Sequence, residues 1–134
     1  MLSKNAERYN LLVGALDSGT GLMLMLAPEY TLRLMLISQI PAELVYMRFI
    51  GAFVFATGFS YFLPQLFCSA KKVSATIGVW AYTAWARTVI SIFVLSQVLI
   101  GNLEIMWLSV SICDAFFALC QIYLIRSHNS QSNQ

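Results

Sequence analysis

Four long apolar stretches, separated by short breaks rich in polar residues or proline, lay out the plan of this chain: residues 9–27, 42–67, 73–100 and 105–125. Each approaches or exceeds the length at which a helix crosses a bilayer core of roughly 30 Å, which takes about 20 residues. The third is the longest, and a single charge, Arg87, stands at its middle. At about 1.5 Å per residue it outruns the hydrocarbon core, so a helix there must tilt or project. An arginine at that depth costs several kcal/mol unless an acid meets it. Two candidates, Asp17 and Asp114, lie near the middle of the first and fourth stretches.

The polar and small positions fall in stripes. Along the first stretch Asn10, Gly14, Asp17, Thr20 and Gly21 share one side of a helix, so Asp17 points inward. In the second stretch Gly51 and Gly58 are seven residues apart on one face. Small residues on such stripes let backbones approach closely, which marks Gly14, Gly21, Gly51 and Gly58 as helix-packing positions. Arg48, near the start of the second stretch, can reach toward headgroups or turn inward to an acid. Pro64 ends or kinks that helix. Residues 28–41 are too short to span and read as an amphipathic interfacial helix or a re-entrant segment, with a covering loop as the alternative. Pro28 suits a first helical turn and Pro41 the start of the next helix. Residues 68–72 form a polar turn carrying Lys71 and Lys72.

Gly101, Asn102, Leu103 and Glu104 predict a tight turn, which makes the third and fourth stretches antiparallel neighbours. Trp80, Thr83, Ala84, Arg87, Ser91 and Val94 share a face of the third; Trp107, Ser111, Asp114, Ala118 and Gln121 share one of the fourth. Arg87 lies 14 residues before Gly101 and Asp114 lies 13 after it. Residues equally far from a turn sit at equal depth, so the two are expected side by side. With Asp17 and Arg48 they make a buried cluster of two acids and two arginines, neutral as a set. One reading is a proton-responsive or anion-binding site, for example for a quinone or lipid head group. The other, which we favour, is an ion-pair network that fixes helix packing. Residues 127–134 are polar and are expected to be disordered.

Composition agrees with a membrane protein. The 134 residues are 59% hydrophobic and 10% charged, with mean hydropathy +0.73, where a soluble domain is about 25% charged. The expected fold is therefore an all-α, four-span membrane bundle of one domain, residues 1–134, with lipids as its surroundings. A net charge of +2 without a Lys/Arg cluster argues against nucleic acid as a partner. Lys4, Arg8, Lys71, Lys72, Arg126 and His128 fall on one side of a four-span arrangement; Glu29, Glu43, Glu104 and Arg33 fall on the other. The positive-inside rule places both termini in the cytoplasm. The first stretch lacks an A-x-A site and reads as an anchor rather than a cleaved signal peptide. Three cysteines, one histidine and no CxxC give no metal, haem or disulfide framework. Cys113 and Cys120 are seven residues apart, about 10 Å along a helix, too far for a disulfide. No Ser/His/Asp or Cys/His spacing suggests a catalytic site, so an enzyme is not expected.

The layout of four spans with a short apolar segment after the first, and the run Arg48-Phe49-Ile50-Gly51-Ala52-Phe53 continuing to Gly58, resembles the DoxX-like group of small bacterial membrane proteins. That group has a recurring Glu before its second span and a Gly later in it, places that Glu43 and Gly58 could occupy. Where its better-known members end the first span in a basic residue near a Gly, this chain has Ala27-Pro28-Glu29. The resemblance implies a small subunit or accessory protein of a bacterial inner or similar energy-transducing membrane, sometimes beside quinone chemistry. The expectation is a non-catalytic accessory subunit of a larger membrane complex, respiratory or photosynthetic. The alternative is a quinone- or lipid-binding redox subunit, or a small homo-oligomeric transporter, using the Asp/Arg cluster.

Overall fold

The structure, a computed structural model, describes residues 4–68 and 71–132, with side chains through residue 130. Among these residues every regular element is helical: α1 (Lys4–Leu26), α2 (Pro28–Leu34), α3 (Leu44–Ser60), α4 (Leu63–Phe67), α5 (Lys72–Ile100), a 3-10 turn (Ile105–Trp107) and α6 (Leu108–Ser132). The chain divides into two compact units, Met1–Thr76 and Ile77–Gln134. Three helical stretches, Lys4–Leu26, Lys72–Ile100 and Ile105–Ser130, are long and apolar enough to cross a membrane, while Leu44–Ser60 is apolar but shorter.

In the first unit α1 and α3 pack antiparallel at backbone-contact distance, and glycine makes this possible. A Cβ on Gly21 would run into the Phe55 amide nitrogen and lie 2.7 Å from the Gly51 carbonyl oxygen. On Gly51 it would lie 2.8 Å from the Gly21 carbonyl oxygen, and on Gly58 it would strike the Ser18 amide nitrogen. On Gly14 it would come within 2.8 Å of the Phe62 ring. The four expected packing glycines therefore interleave along one seam, whereas Gly19 has open space beside it. The expected stripe on α1 needs one correction. Thr20 is exposed, while Ala6, Asn10, Val13, Gly14, Gly21 and Leu24 are buried. Thr20 stands one residue before Gly21, about 100° around the helix, which carries it off the packed face. Lys72 and Glu7 approach to 3.8 Å in the same unit, bringing the starts of α1 and α5 together.

Only the first half of residues 28–41 is helical. Pro28 sits in the first turn of α2, and Arg33 pairs with Glu29 at 2.9 Å on its exposed side. The helix stops in a Schellman-type cap: the Ile37 amide donates to the Leu32 carbonyl (3.0 Å) and the Leu36 amide to the Arg33 carbonyl (2.9 Å). Leu36 takes the left-handed position of that cap, at φ 62, where glycine is usual. The second expected span is interrupted rather than continuous over 42–67. A proline ring clashes with the carbonyl four residues earlier, and α3 ends at Ser60, four residues before Pro64. Shorter turns bridge the break, with the Phe62 amide on the Phe59 carbonyl at 3.0 Å. Pro64 then occupies the first turn of α4. Of the expected turn at 68–72, residues 69–70 lie outside the described residues.

In the second unit α5 ends as α2 does, this time with glycine in the left-handed place. Gly101 has φ +87, its amide donates to the Val98 carbonyl (3.1 Å), and the Asn102 amide reaches the Gln97 carbonyl (2.9 Å). The Asn102 side-chain amide also donates to Gln97 Oε1 at 2.9 Å. Beyond the 3-10 turn, α6 runs to Ser132, so the expected disordered tail is helical over 127–132; residues 133–134 lie outside the described residues. No proline or glycine breaks residues 126–132. The Ser130 hydroxyl also turns back onto the Arg126 carbonyl at 3.0 Å.

Beside a buried apolar set that includes Val13, Leu32, Ile37, Tyr61 and Trp80, several polar side chains are buried while many large apolar ones are exposed. Asn10, Thr76, Thr83, Arg87, Ser91, Ser111 and Gln121 are buried. Meanwhile Leu11 and Leu16 on α1, Phe49 and Phe53 on α3, Trp85 and Ile92 on α5, and Ile112, Phe116 and Leu119 on α6 are each more than half exposed.

Candidate functional site

The chemistry-bearing residues of the second unit gather on the seam between α5 and α6. Thr83, Arg87 and Ser91 are spaced four apart on α5, and Ser111, Asp114, Ala118 and Gln121 follow a three-four-three spacing on α6. Both series keep to one helical stripe. The tight turn at Gly101 folds the stripes onto each other, and they meet in three rungs.

Nearest the turn, the Ser91 and Ser111 hydroxyls each donate to the other residue's backbone carbonyl at 2.9 Å. In the middle, Arg87 Nη1 meets Asp114 Oδ1 at 2.5 Å, with only 7% and 15% of the two side chains exposed. The guanidinium carbon also lies 5.1 Å from the centre of the Phe117 ring, within cation–π range. Farthest from the turn, Gln121 Nε2 donates to Thr83 Oγ1 at 2.8 Å, and that hydroxyl donates in turn to the Val79 carbonyl at 2.7 Å. The seam thus answers hydroxyl with carbonyl, cation with anion, and amide with hydroxyl.

Such a seam sets register. In a dry interior an ion pair is tolerable only when its partners are close and well oriented, and removing either leaves a stranded charge. Sliding α6 along α5 by one residue would disrupt every rung at once. The same geometry offers little to a reaction, because the hydroxyls in the rungs are directed to carbonyls rather than to a base. Cys68, Cys113 and Cys120 are free thiols. No group of three His, Cys, Asp or Glu residues among the described residues could hold a metal ion.

Of the expected charge cluster, Arg87 and Asp114 come together in the second unit, and Asp17 and Arg48 belong to the first. Asp17 is half-buried, its Cβ 2.6 Å from where a Cβ on Gly58 would stand. Arg48 is exposed rather than buried. Gly51 lies against Leu24 and Met25, so Arg48, about a turn earlier, comes where α1 has ended at Leu26. The serine and Thr83–Gln121 rungs were not anticipated, although Ser91 and Ser111 each lie ten residues from Gly101. Phe117 under Arg87 had no such signal, since an aromatic in an apolar helix looks like any other packing residue.

No family model, curated protein or solved structure matches the chain.

Proposed function

We propose that this chain is an integral membrane protein of four helical spans that serves as a small, non-catalytic accessory subunit of a larger membrane complex, respiratory or photosynthetic. The observation that carries the reading is the apolar surface: large apolar side chains lie exposed along all four main helices, while Asn10, Thr83, Arg87, Ser91, Ser111 and Gln121 are buried. Such an expanse of exposed apolar residues marks a membrane or protein contact. The 17-residue α3 is at the lower limit for a span. Its antiparallel packing along α1, from Leu24 beside Gly51 to Gly14 beside Phe62, supports counting it as one. The sign of charge alternates over the extramembrane segments, which supports both termini being cytoplasmic. On topology we group the chain with the DoxX-like proteins. The rungs pair side chains of α5 and α6 with each other, which favours a structural over a ligand-binding role for Arg87 and Asp114.

The test is extraction from the native membrane in mild detergent, followed by mass spectrometry and an optical spectrum of what co-migrates. Stoichiometric larger subunits with haem, flavin or chlorophyll absorbance are expected. A chain that runs alone, or only with itself, overturns the accessory role.

A further inference from the structure

Outside the rungs, α5 and α6 flank a shallow, open groove of about 420 Å³ on the surface of the second unit. Ala81, Ala84, Trp85 and Thr88 line it from α5, where the two alanines take up little room, and Ile122 and Ile125 line it from α6. At one end stands Arg126. The Thr88 hydroxyl is directed to the Ala84 carbonyl at 2.8 Å, so that wall offers no hydroxyl proton to an occupant. Arg126 is exposed, and no hydrogen bond or ion pair engages its guanidinium among the described residues.

We propose that this groove is a binding site for one acyl chain of an anionic phospholipid, with Arg126 holding the phosphate; the proposal rests on the membrane reading above. The order of chemistry along the groove is the order along such a lipid, cation at one end and apolar walls beyond it. The length agrees too. Thr88 follows Arg87, which is level with Asp114, and Asp114 to Arg126 is twelve residues. That is about 18 Å of helix, comparable to half of a roughly 30 Å hydrocarbon core, the depth of one leaflet. Arg126 also lies at the helix end away from the Gly101 turn, where a headgroup in the cytoplasmic leaflet would be. A zwitterionic lipid fits the walls equally well but presents no net negative charge to Arg126.

The experiment is fluorescence quenching of the full-length chain in vesicles whose acyl chains carry bromine, made with either phosphatidylglycerol or phosphatidylcholine. Trp85, two-thirds exposed at the groove wall, is the reporter. Quenching by brominated phosphatidylglycerol is expected at about a fivefold lower lipid fraction, the preference one basic side chain near a membrane surface confers. Trp85→Phe should remove the headgroup-dependent part of the signal, which assigns it without touching buried Trp80. Arg126→Gln should abolish the preference and Arg126→Lys retain it. Ala81→Leu, at an exposed lining position, should abolish it by filling the groove. Circular dichroism of each variant verifies that the helices persist. Equal quenching by the two lipids, or a preference that survives Arg126→Gln in a folded protein, overturns the proposal. Quenching by neither lipid overturns the membrane reading, and the groove assignment with it.

Discussion

Replacing Asp114 by leucine should be among the most damaging single changes in the second unit. Arg87 and Asp114 are held at 2.5 Å with 7% and 15% of their side chains exposed, so removing the carboxylate takes the close anion away from a guanidinium that has little water to replace it. Breaking a buried pair from one side costs about 3–5 kcal/mol. The Phe117 ring remains beneath Arg87 and returns only part of that, about 0.5–2 kcal/mol in general for a cation over a ring. The reverse change, Arg87→Met, should cost less, because a stranded carboxyl can take up a proton whereas a guanidinium cannot lose one. Changing both residues, Arg87→Met with Asp114→Leu, should restore stability to within about 1 kcal/mol of the parent, since apolar pairs of similar size commonly replace buried ion pairs without loss. The assay is reversible unfolding in mixed micelles with increasing sodium dodecyl sulfate, followed by circular dichroism and tryptophan fluorescence, for all four members of the cycle. A double variant as unstable as the sum of the singles, or an Asp114→Leu protein as stable as the parent, refutes the reasoning.

Three further outcomes follow from the packing. Gly58→Leu should separate α1 from α3, because a side chain there strikes the Ser18 amide and Asp17; overpacking of this kind costs about 1–3 kcal/mol or more, read in the same titration. Gly78→Ala, in open space within α5, should instead raise stability by up to about 1 kcal/mol through helix propensity. Gly101→Ala places a Cβ in a left-handed turn and should cost about 1–2 kcal/mol, measured as a lower unfolding midpoint, although nothing lies within 4 Å of the new methyl.

Much of the helical layout was legible in the sequence because it follows from run length and from breakers. Pro28, Pro64 and Gly101 stand at or beside helix ends, and the apolar runs between them are helices. The Arg87–Asp114 pair was legible as well, since a tight turn makes depth a matter of counting residues. Elsewhere counting was insufficient. Arg48 lies on the side of α3 near its packing glycines, and only the register against α1 shows that α1 ends before reaching it. The α6 extension through 127–132 is polar and lacks the apolar stripe by which helices are recognised; it persists because nothing breaks it. The groove beside Arg126 was invisible because it depends on what two alanines leave empty, and alanines in an apolar helix carry no signal of their own.

The central claim, four crossings with both termini on the cytoplasmic side, is tested most directly by one topology measurement. In a background with Cys68, Cys113 and Cys120 replaced by alanine, single cysteines at Lys4, Glu29, Asn102 and Ser130 are exposed to a membrane-impermeant maleimide in sealed, right-side-out vesicles. Labelling is expected at positions 29 and 102 from outside, and at positions 4 and 130 only after the vesicles are opened. Labelling of 4 and 130 on opposite sides, or of all four from one side, contradicts the claim.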